Sequence, residues 1–157
     1  KRMPAFASWY VDHTKEETGW IAPHRDNYEV ANTYSIWIPL TNATPLNGCV
    51  YLVPKDRDSN YDRNGADTFK NHDIRALPAK AGSVLGWTGK VLHWGSHSSI
   101  FAKEPRISLS IEFQKNTGDE SLIDYDYFYN FEERLHAIWF MILNYKHIAN
   151  YKPGDDV

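Results

Sequence analysis

Eight short runs rich in β-branched and aromatic residues fall between positions 5 and 114, with no helix-like stretch between any two of them. They read "AFASWYVDH", "TGWIA", "TYSIWIPL", "CVYLVP", "IRALP", "GSVLGW", "KVLHWG" and "RISLSIEFQ", and Gly, Pro, Asn and Asp punctuate the chain around them. Strands that follow one another without crossover helices pair antiparallel, so the chain is predicted to be mainly β, as a barrel, sandwich or jelly roll. In the last run Ile107, Leu109, Ile111 and Phe113 alternate with Arg106, Ser108, Ser110 and Glu112. One face is apolar and the other polar, the pattern of a strand buried on one side.

Two regions break the strand pattern. Residues 55–73, "KDRDSNYDRNGADTFKNHD", are dense in charge and turn formers and have no period. They read as a surface excursion, with a lid over a pocket and a solvated insertion as the two alternatives. Residues 126–151 carry Phe128, Phe131, Leu135, Ile138, Trp139, Ile142 and Leu143 at helical spacing. Asn130 suits the N-cap, Glu132 and Glu133 suit the positive end of the helix dipole, and the helix is predicted to pack on a sheet face. The 157 residues show no repeat or linker and are read as a single domain, 1–157. Because the chain opens on Lys1 within apparently folded sequence, a fragment of a longer protein is expected.

Seventeen basic against twenty acidic residues, with no basic run, argue against a nucleic-acid partner. The longest apolar run, "AIWFMIL", is too short to span a bilayer, so neither a membrane partner nor a signal peptide is expected. Cys49, the one cysteine, lies within "CVYLVP" and reads as a buried thiol, which favours a reducing, cytoplasmic location. The aromatics, including 6 Trp and 10 Tyr, serve equally to fill a core or to line a small-molecule pocket.

Chemistry enters with "HRD". His24 and Asp26 stand at i and i+2, so on extended backbone both side chains lie on one face. With His93 in "KVLHWGSHSS" they make up two imidazoles and a carboxylate, the donor set of a facial triad that holds Fe(II) and leaves three positions open. Each residue taken alone has a plainer reading, as a hydrogen-bonded turn or a structural histidine. Arg106 begins the polar face of the last strand with Ser108 next on it, and a guanidinium beside a hydroxyl suits a carboxylate. The competing reading of Arg106 is a surface side chain beside Pro105.

These blocks occur in a recognisable order: "HRD", "WIPLTNATPLNGCVYLVP", "LPAKAGSVLGWTGKVLHWGSHSS" and "PRISLSIEF". In that order the chain resembles the phytanoyl-CoA dioxygenase-like branch of the 2-oxoglutarate/Fe(II)-dependent dioxygenases, over about residues 20–113. Trp37, Pro39, Leu40, Asn47, Gly48 and Pro54 stand at family positions. The resemblance implies a double-stranded β-helix, a cupin-like jelly-roll barrel over about 5–114, with the C-terminal helix packed on it. It implies His24, Asp26 and His93 as the metal ligands and Arg106 as the anchor of the distal carboxylate of 2-oxoglutarate. Trp37 is then a wall of the cosubstrate pocket, Ser108 a further contact to the same carboxylate, and His97 a neighbour of the site rather than a ligand. The chain departs from the family in having Arg25 where Gln is common between the early ligands, and "PKDRD" where "PGSH" is usual. Relatives usually carry helices and a further cosubstrate-contacting residue upstream of the barrel, and neither is expected within residues 1–157.

The implied activity is hydroxylation of a C–H bond of a small-molecule substrate, using Fe(II), 2-oxoglutarate and O2 and releasing succinate and CO2. Asp26 disfavours halogenation, which needs a small residue at that position, whereas desaturation and ring formation stay open. The alternative from another class is a non-catalytic jelly-roll module that binds a metal or ligand. A cupin-type enzyme using another metal would require further histidine ligands, with His97 and His72 as the candidates. Arg25 is expected to meet an anionic group or to point to solvent.

Overall fold

The computed structural model describes residues 1–2, 7–12, 14, 21–26, 32–63, 68–115, 124 and 126–145. Its strands are β1 (Ala7–Val11), β2 (Thr33–Pro39), β3 (Val50–Leu52), β4 (Arg75–Leu77), β5 (Leu85–Thr88), β6 (His93–Gly95) and β7 (Arg106–Gln114), and helix α1 spans Phe131–Tyr145. They form two antiparallel sheets, one ordered β1-β7-β2-β5 and the other β4-β3-β6.

Seven of the eight expected runs are strands among the described residues. Of "TGWIA", residues 18–20 lie outside the described set, and the segment that follows runs beside the open edge of β6 without becoming a regular strand. Ile21 N donates to Gly95 O at 3.2 Å, and His24 and His93 exchange two backbone bonds of 3.0 Å. Pro23 stands between these contacts and has no N–H to give a ladder, which limits the pairing to isolated bonds.

The sheets meet through side chains of their facing surfaces. In β2, Thr33, Ser35, Trp37 and Pro39 are buried and alternate with more exposed residues. Trp37 packs with Ala43, Cys49 and Val50, and Tyr51, Leu77, Leu85 and Trp87 close around them from both sheets. Cys49 is the buried free thiol that its apolar neighbours suggest. In β7 the polar residues Arg106 and Ser108 are the buried ones, whereas Ile107 and Leu109 are only half-buried. Alternation identifies the two faces of this strand. It does not reveal that the polar face turns inward, and inward-facing polar groups mark a lined site rather than a packed core.

The turn between β2 and β3 is built by Asn47 and Gly48. The buried Asn47 amide accepts from Thr44 N at 2.7 Å and donates to Asn42 O at 2.8 Å. Gly48 has φ +84°, and a Cβ there would lie 2.7 Å from Ser96 O. The backbone of β3's approach therefore touches the segment just after β6 at a point where only glycine fits.

The described parts of 55–73 run over the surface, with Lys55–Arg57 and residues 70–72 exposed, and they also hold 3₁₀ turns at Lys55–Arg57 and Asn71–Asp73 and bury Asp58 and Asp73. Polar contacts anchor this loop where the sequence offers few apolar ones. Helix α1 does form, with Asn130 and Glu133 capping each other's backbone N–H at 3.0 and 2.8 Å. Among the described residues it does not pack on the sheet, contrary to expectation. Phe131, Leu135, Ile138, Trp139, Ile142 and Leu143 are 43–67% exposed. Helical spacing defines an apolar face but not the surface that covers it. The lead-in is what ties it down, through Arg2 donating to Tyr127 O at 3.0 Å and lying 5.6 Å from the Tyr129 ring. Residues 146–151 of the expected helix lie outside the described set. No helix among the described residues is long and apolar enough to cross a membrane.

Candidate metal centre

His24, Asp26 and His93 converge where the 21–26 segment meets β6. Their ligand atoms all lie within 4.8 Å of one another, the one such group of His, Cys, Asp and Glu found among the described residues. Both histidines carry the same local device. His24 Nδ1 lies 2.8 Å from Ala22 O and His93 Nδ1 lies 3.0 Å from Val91 O, in each case the carbonyl two residues earlier. A carbonyl only accepts, so Nδ1 bears the proton and Nε2 is the atom offered to the centre. The two Nε2 atoms each stand 3.5 Å from Asp26 Oδ1. The other oxygen, Oδ2, accepts a short hydrogen bond from Ser35 Oγ, which leaves Oδ1 facing the imidazoles.

This donor set fits a divalent ion. Neighbouring positions on an octahedral ion with ligands at about 2.1 Å are about 3 Å apart, so contacts of 3.5 Å need to close by only a few tenths of an ångström. Histidine ligands whose second nitrogen is held by a carbonyl, and a carboxylate held by a hydroxyl, are the usual outer partners of such a centre. Electrostatics agree. Burial pushes the Asp26 carboxyl up, but the His24 hydrogen bond, the charge of His93 and the Ser35 hydroxyl outweigh it and hold the pKa at about 2. The hydrogen bond with Asp26 raises the pKa of His24, whereas burial lowers that of His93. Asp26 is thus an anion at neutral pH, and His93 is biased towards the neutral form that a ligand requires.

A second polar group lies on the same inner surface. Arg106 is 3% exposed, and burial lowers its pKa to about 10, so it stays charged at neutral pH. Its Nη1 donates to Ser108 Oγ at 2.8 Å, and its guanidinium lies 5.8 Å from the centre of the Trp37 ring. The Nε of Arg106 is buried with no hydrogen-bond partner. A buried, charged donor is costly to leave unsatisfied, and a guanidinium of this kind suits an acceptor such as a carboxylate. Trp37 follows Ser35 by two positions in β2, so the buried faces of these residues connect the guanidinium to the metal centre.

The structure therefore brings the three expected ligands together, and groups Arg106, Ser108 and Trp37. His97 and His72 are exposed and join neither group; His72 Nε2 lies 3.5 Å from Asp73 instead. Arg25 meets an anionic group, but one from its own chain, Asp58. Sequence reasoning missed Ser35 and Trp87. Ser35 shares the alternation that makes Trp37 inward-facing, and β2–β5 register places Trp87 opposite it. The Trp87 ring lies 4.8 Å from His93, and its indole nitrogen is buried without a partner.

The family model described as phytanoyl-CoA dioxygenase (PhyH) matches residues 5–100. A phytanoyl-CoA dioxygenase of Arabidopsis thaliana is 25% identical over 109 residues, covering 59% of this chain and 38% of the relative. Among solved structures, the nickel complex of the non-heme monooxygenase ThoJ covers 92% of this chain and 64% of its own, at 13% identity and a TM-score of 0.61. The non-heme α-ketoglutarate-dependent epimerase SnoN from nogalamycin biosynthesis covers 83% and 62% respectively, at 18% identity and a TM-score of 0.54. At these identities the structural likeness concerns the fold. The chain spans less than two thirds of the length of each of these three relatives.

Proposed function

The chain belongs to the phytanoyl-CoA dioxygenase family, and from that premise we propose that it is an Fe(II)/2-oxoglutarate-dependent oxygenase that hydroxylates a C–H bond of a small molecule, with succinate and CO2 as co-products. The observation that carries this reading is the convergence of two Nε2 atoms on one carboxylate oxygen, each nitrogen and the carboxylate fixed from behind by a hydrogen bond. We assign His24, Asp26 and His93 as the ligands. A ferrous ion held by this set would supply the dioxygen chemistry.

The protein's own residues bind, orient and shield. Arg106 and Ser108 would take the distal carboxylate of 2-oxoglutarate: Nε would gain an acceptor, and the serine, already a partner of Nη1, fixes the fork's orientation. Trp37, buried 5.8 Å from the guanidinium, would wall the cosubstrate pocket and keep water from that carboxylate. Trp87 packs against His93 and limits rotation of the ligand ring. Asp26 would hold a coordination position that halide transfer needs to be free, which favours oxygen transfer.

The sheet orders support a double-stranded β-helix. Adding the 21–26 segment beside β6 gives two four-membered layers, and the chain crosses between them at every connection except the β3–β4 hairpin. The α-ketoglutarate dependence of SnoN supports the cosubstrate assignment. The buried, unpaired Cys49 thiol fits a reducing compartment, and a cytoplasmic location is part of the proposal. A screen of small molecules for substrate-dependent succinate formation, with His93→Ala as control, tests the activity. Succinate release that requires both Fe(II) and an intact His93 supports it. A non-catalytic module would give the parent no more succinate than the variant.

A further inference from the structure

We propose that Arg25 and Asp58 form a clamp that holds the two ligand-bearing segments of the metal centre in register, which makes Arg25 a positioning residue. The inference rests on the assignment of His24, Asp26 and His93 as ligands. Arg25 stands between two of them, and on extended backbone its side chain leaves from the opposite face. There it is 9% exposed against an Asp58 side chain that is 3% exposed. Nη1 reaches Asp58 Oδ2 at 2.8 Å and Nη2 reaches Oδ1 at 3.2 Å, a two-pronged pairing. The same Nη1 makes a short bond to the carbonyl of Lys90, three residues before His93.

One guanidinium thus joins the backbone of the first two ligands, the loop after β3 and the approach to the third ligand. The loop end is fixed in turn: Asp58 Oδ1 accepts Asn60 N at 3.0 Å, and Tyr61 Oη lies 2.8 Å from Thr88 Oγ1. The need for such a device follows from Pro23. The 21–26 segment is attached to β6 by isolated backbone bonds, so a continuous ladder does not set its position. A buried ion pair is a poor source of net stability compared with apolar packing of the same volume, whereas its fixed fork defines geometry.

The test uses the full chain and Co(II) as probe, titrated anaerobically and followed by its visible absorption, with thermal melting recorded in parallel. Arg25→Gln and Asp58→Asn should each weaken Co(II) binding at least several-fold, because the ligand-bearing segments lose their shared anchor. The double variant R25Q/D58N leaves neither charge alone in the interior. It should regain a parent-like melt while keeping the weakened affinity and an altered Co(II) spectrum. Arg25→Lys, which keeps the charge and loses the fork, decides the matter if the double variant does not fold, and at least several-fold weakening is expected of it. Lys90→Ala removes that side chain but not its carbonyl and should bind as the parent does. Parent-like affinity and spectrum in folded R25Q/D58N, or in Arg25→Lys, would overturn the clamp. If the parent binds Co(II) no better than His24→Ala, the metal centre itself is wrong and the clamp falls with it.

Discussion

His24 and His93 are cross-strand neighbours: each donates its backbone N–H to the other's carbonyl at 3.0 Å, and their ring centroids are 4.5 Å apart. A hydrogen-bonded antiparallel pair places both side chains on one face, and Asp26 joins them there from two positions along. Two residues far apart in sequence are thereby fixed relative to each other by backbone before any metal binds.

That preorganisation extends to the carboxylate. Ser35 holds Asp26 Oδ2 and leaves Oδ1 to the imidazoles. Ser35→Ala should weaken Fe(II) or Co(II) binding by about 10- to 100-fold. The melting temperature should change by only a few degrees, because one hydrogen bond contributes about 1 kcal/mol net and each kcal/mol shifts Tm by roughly 2–4 °C in a chain of this size. Metal titration alongside thermal melting checks both halves. Unchanged affinity would show that the hydroxyl does not orient the ligand.

Arg106 is predicted to act on the cosubstrate alone. Its buried guanidinium has an unpartnered Nε and no role as a ligand. Losing one partner of a buried, hydrogen-bonded charge pair costs about 2–5 kcal/mol, and each 1.4 kcal/mol is roughly tenfold in affinity. Arg106→Ala should therefore weaken 2-oxoglutarate binding by roughly 30-fold or more, measured by calorimetry on the metal-loaded protein. Arg106→Lys should fall between, because an ammonium keeps the charge and loses the fork. Metal affinity without cosubstrate should hold in both.

Much of this was legible in the sequence because it depends on period. The i, i+2 spacing of "HRD" and the alternation of "RISLSIEF" identify which residues share a face. The direction of that face is less legible. Ile107 and Leu109 look like the buried side of β7, yet Arg106 and Ser108 are buried, because this surface lines a site. Contacts such as Ser35 to Asp26 and Arg25 to Asp58 depend on register between distant segments, which local pattern does not contain. Helix α1 shows the opposite limit. Its apolar spacing is real and its cap is formed, but spacing names no covering surface, and its large side chains stand exposed.

Gly48 is predicted to be irreplaceable on backbone grounds. With φ +84° and a would-be Cβ 2.7 Å from Ser96 O, alanine meets both a disfavoured conformation and a backbone clash. The conformation alone costs about 1–2 kcal/mol, and for a chain of this size each kcal/mol lowers Tm by roughly 2–4 °C. Gly48→Ala should therefore melt at least several degrees below the parent. Since Ser96 follows β6 directly, metal affinity should fall with it. A parent-like melt would mean that the 47–48 turn adapts freely.

If His24, Asp26 and His93 hold Fe(II) and Arg106 anchors the distal carboxylate, the metal centre and the guanidinium share one molecule of 2-oxoglutarate. Anaerobic absorption spectroscopy tests it most directly, because a 2-oxoglutarate chelate of Fe(II) has a weak visible charge-transfer band that neither component has alone. The parent should develop this band only when both are present. His93→Ala should lose it at every concentration, and Arg106→Ala should need far more 2-oxoglutarate to reach it. No band in the parent at saturating Fe(II) and 2-oxoglutarate, or an unchanged band in His93→Ala, would contradict the account.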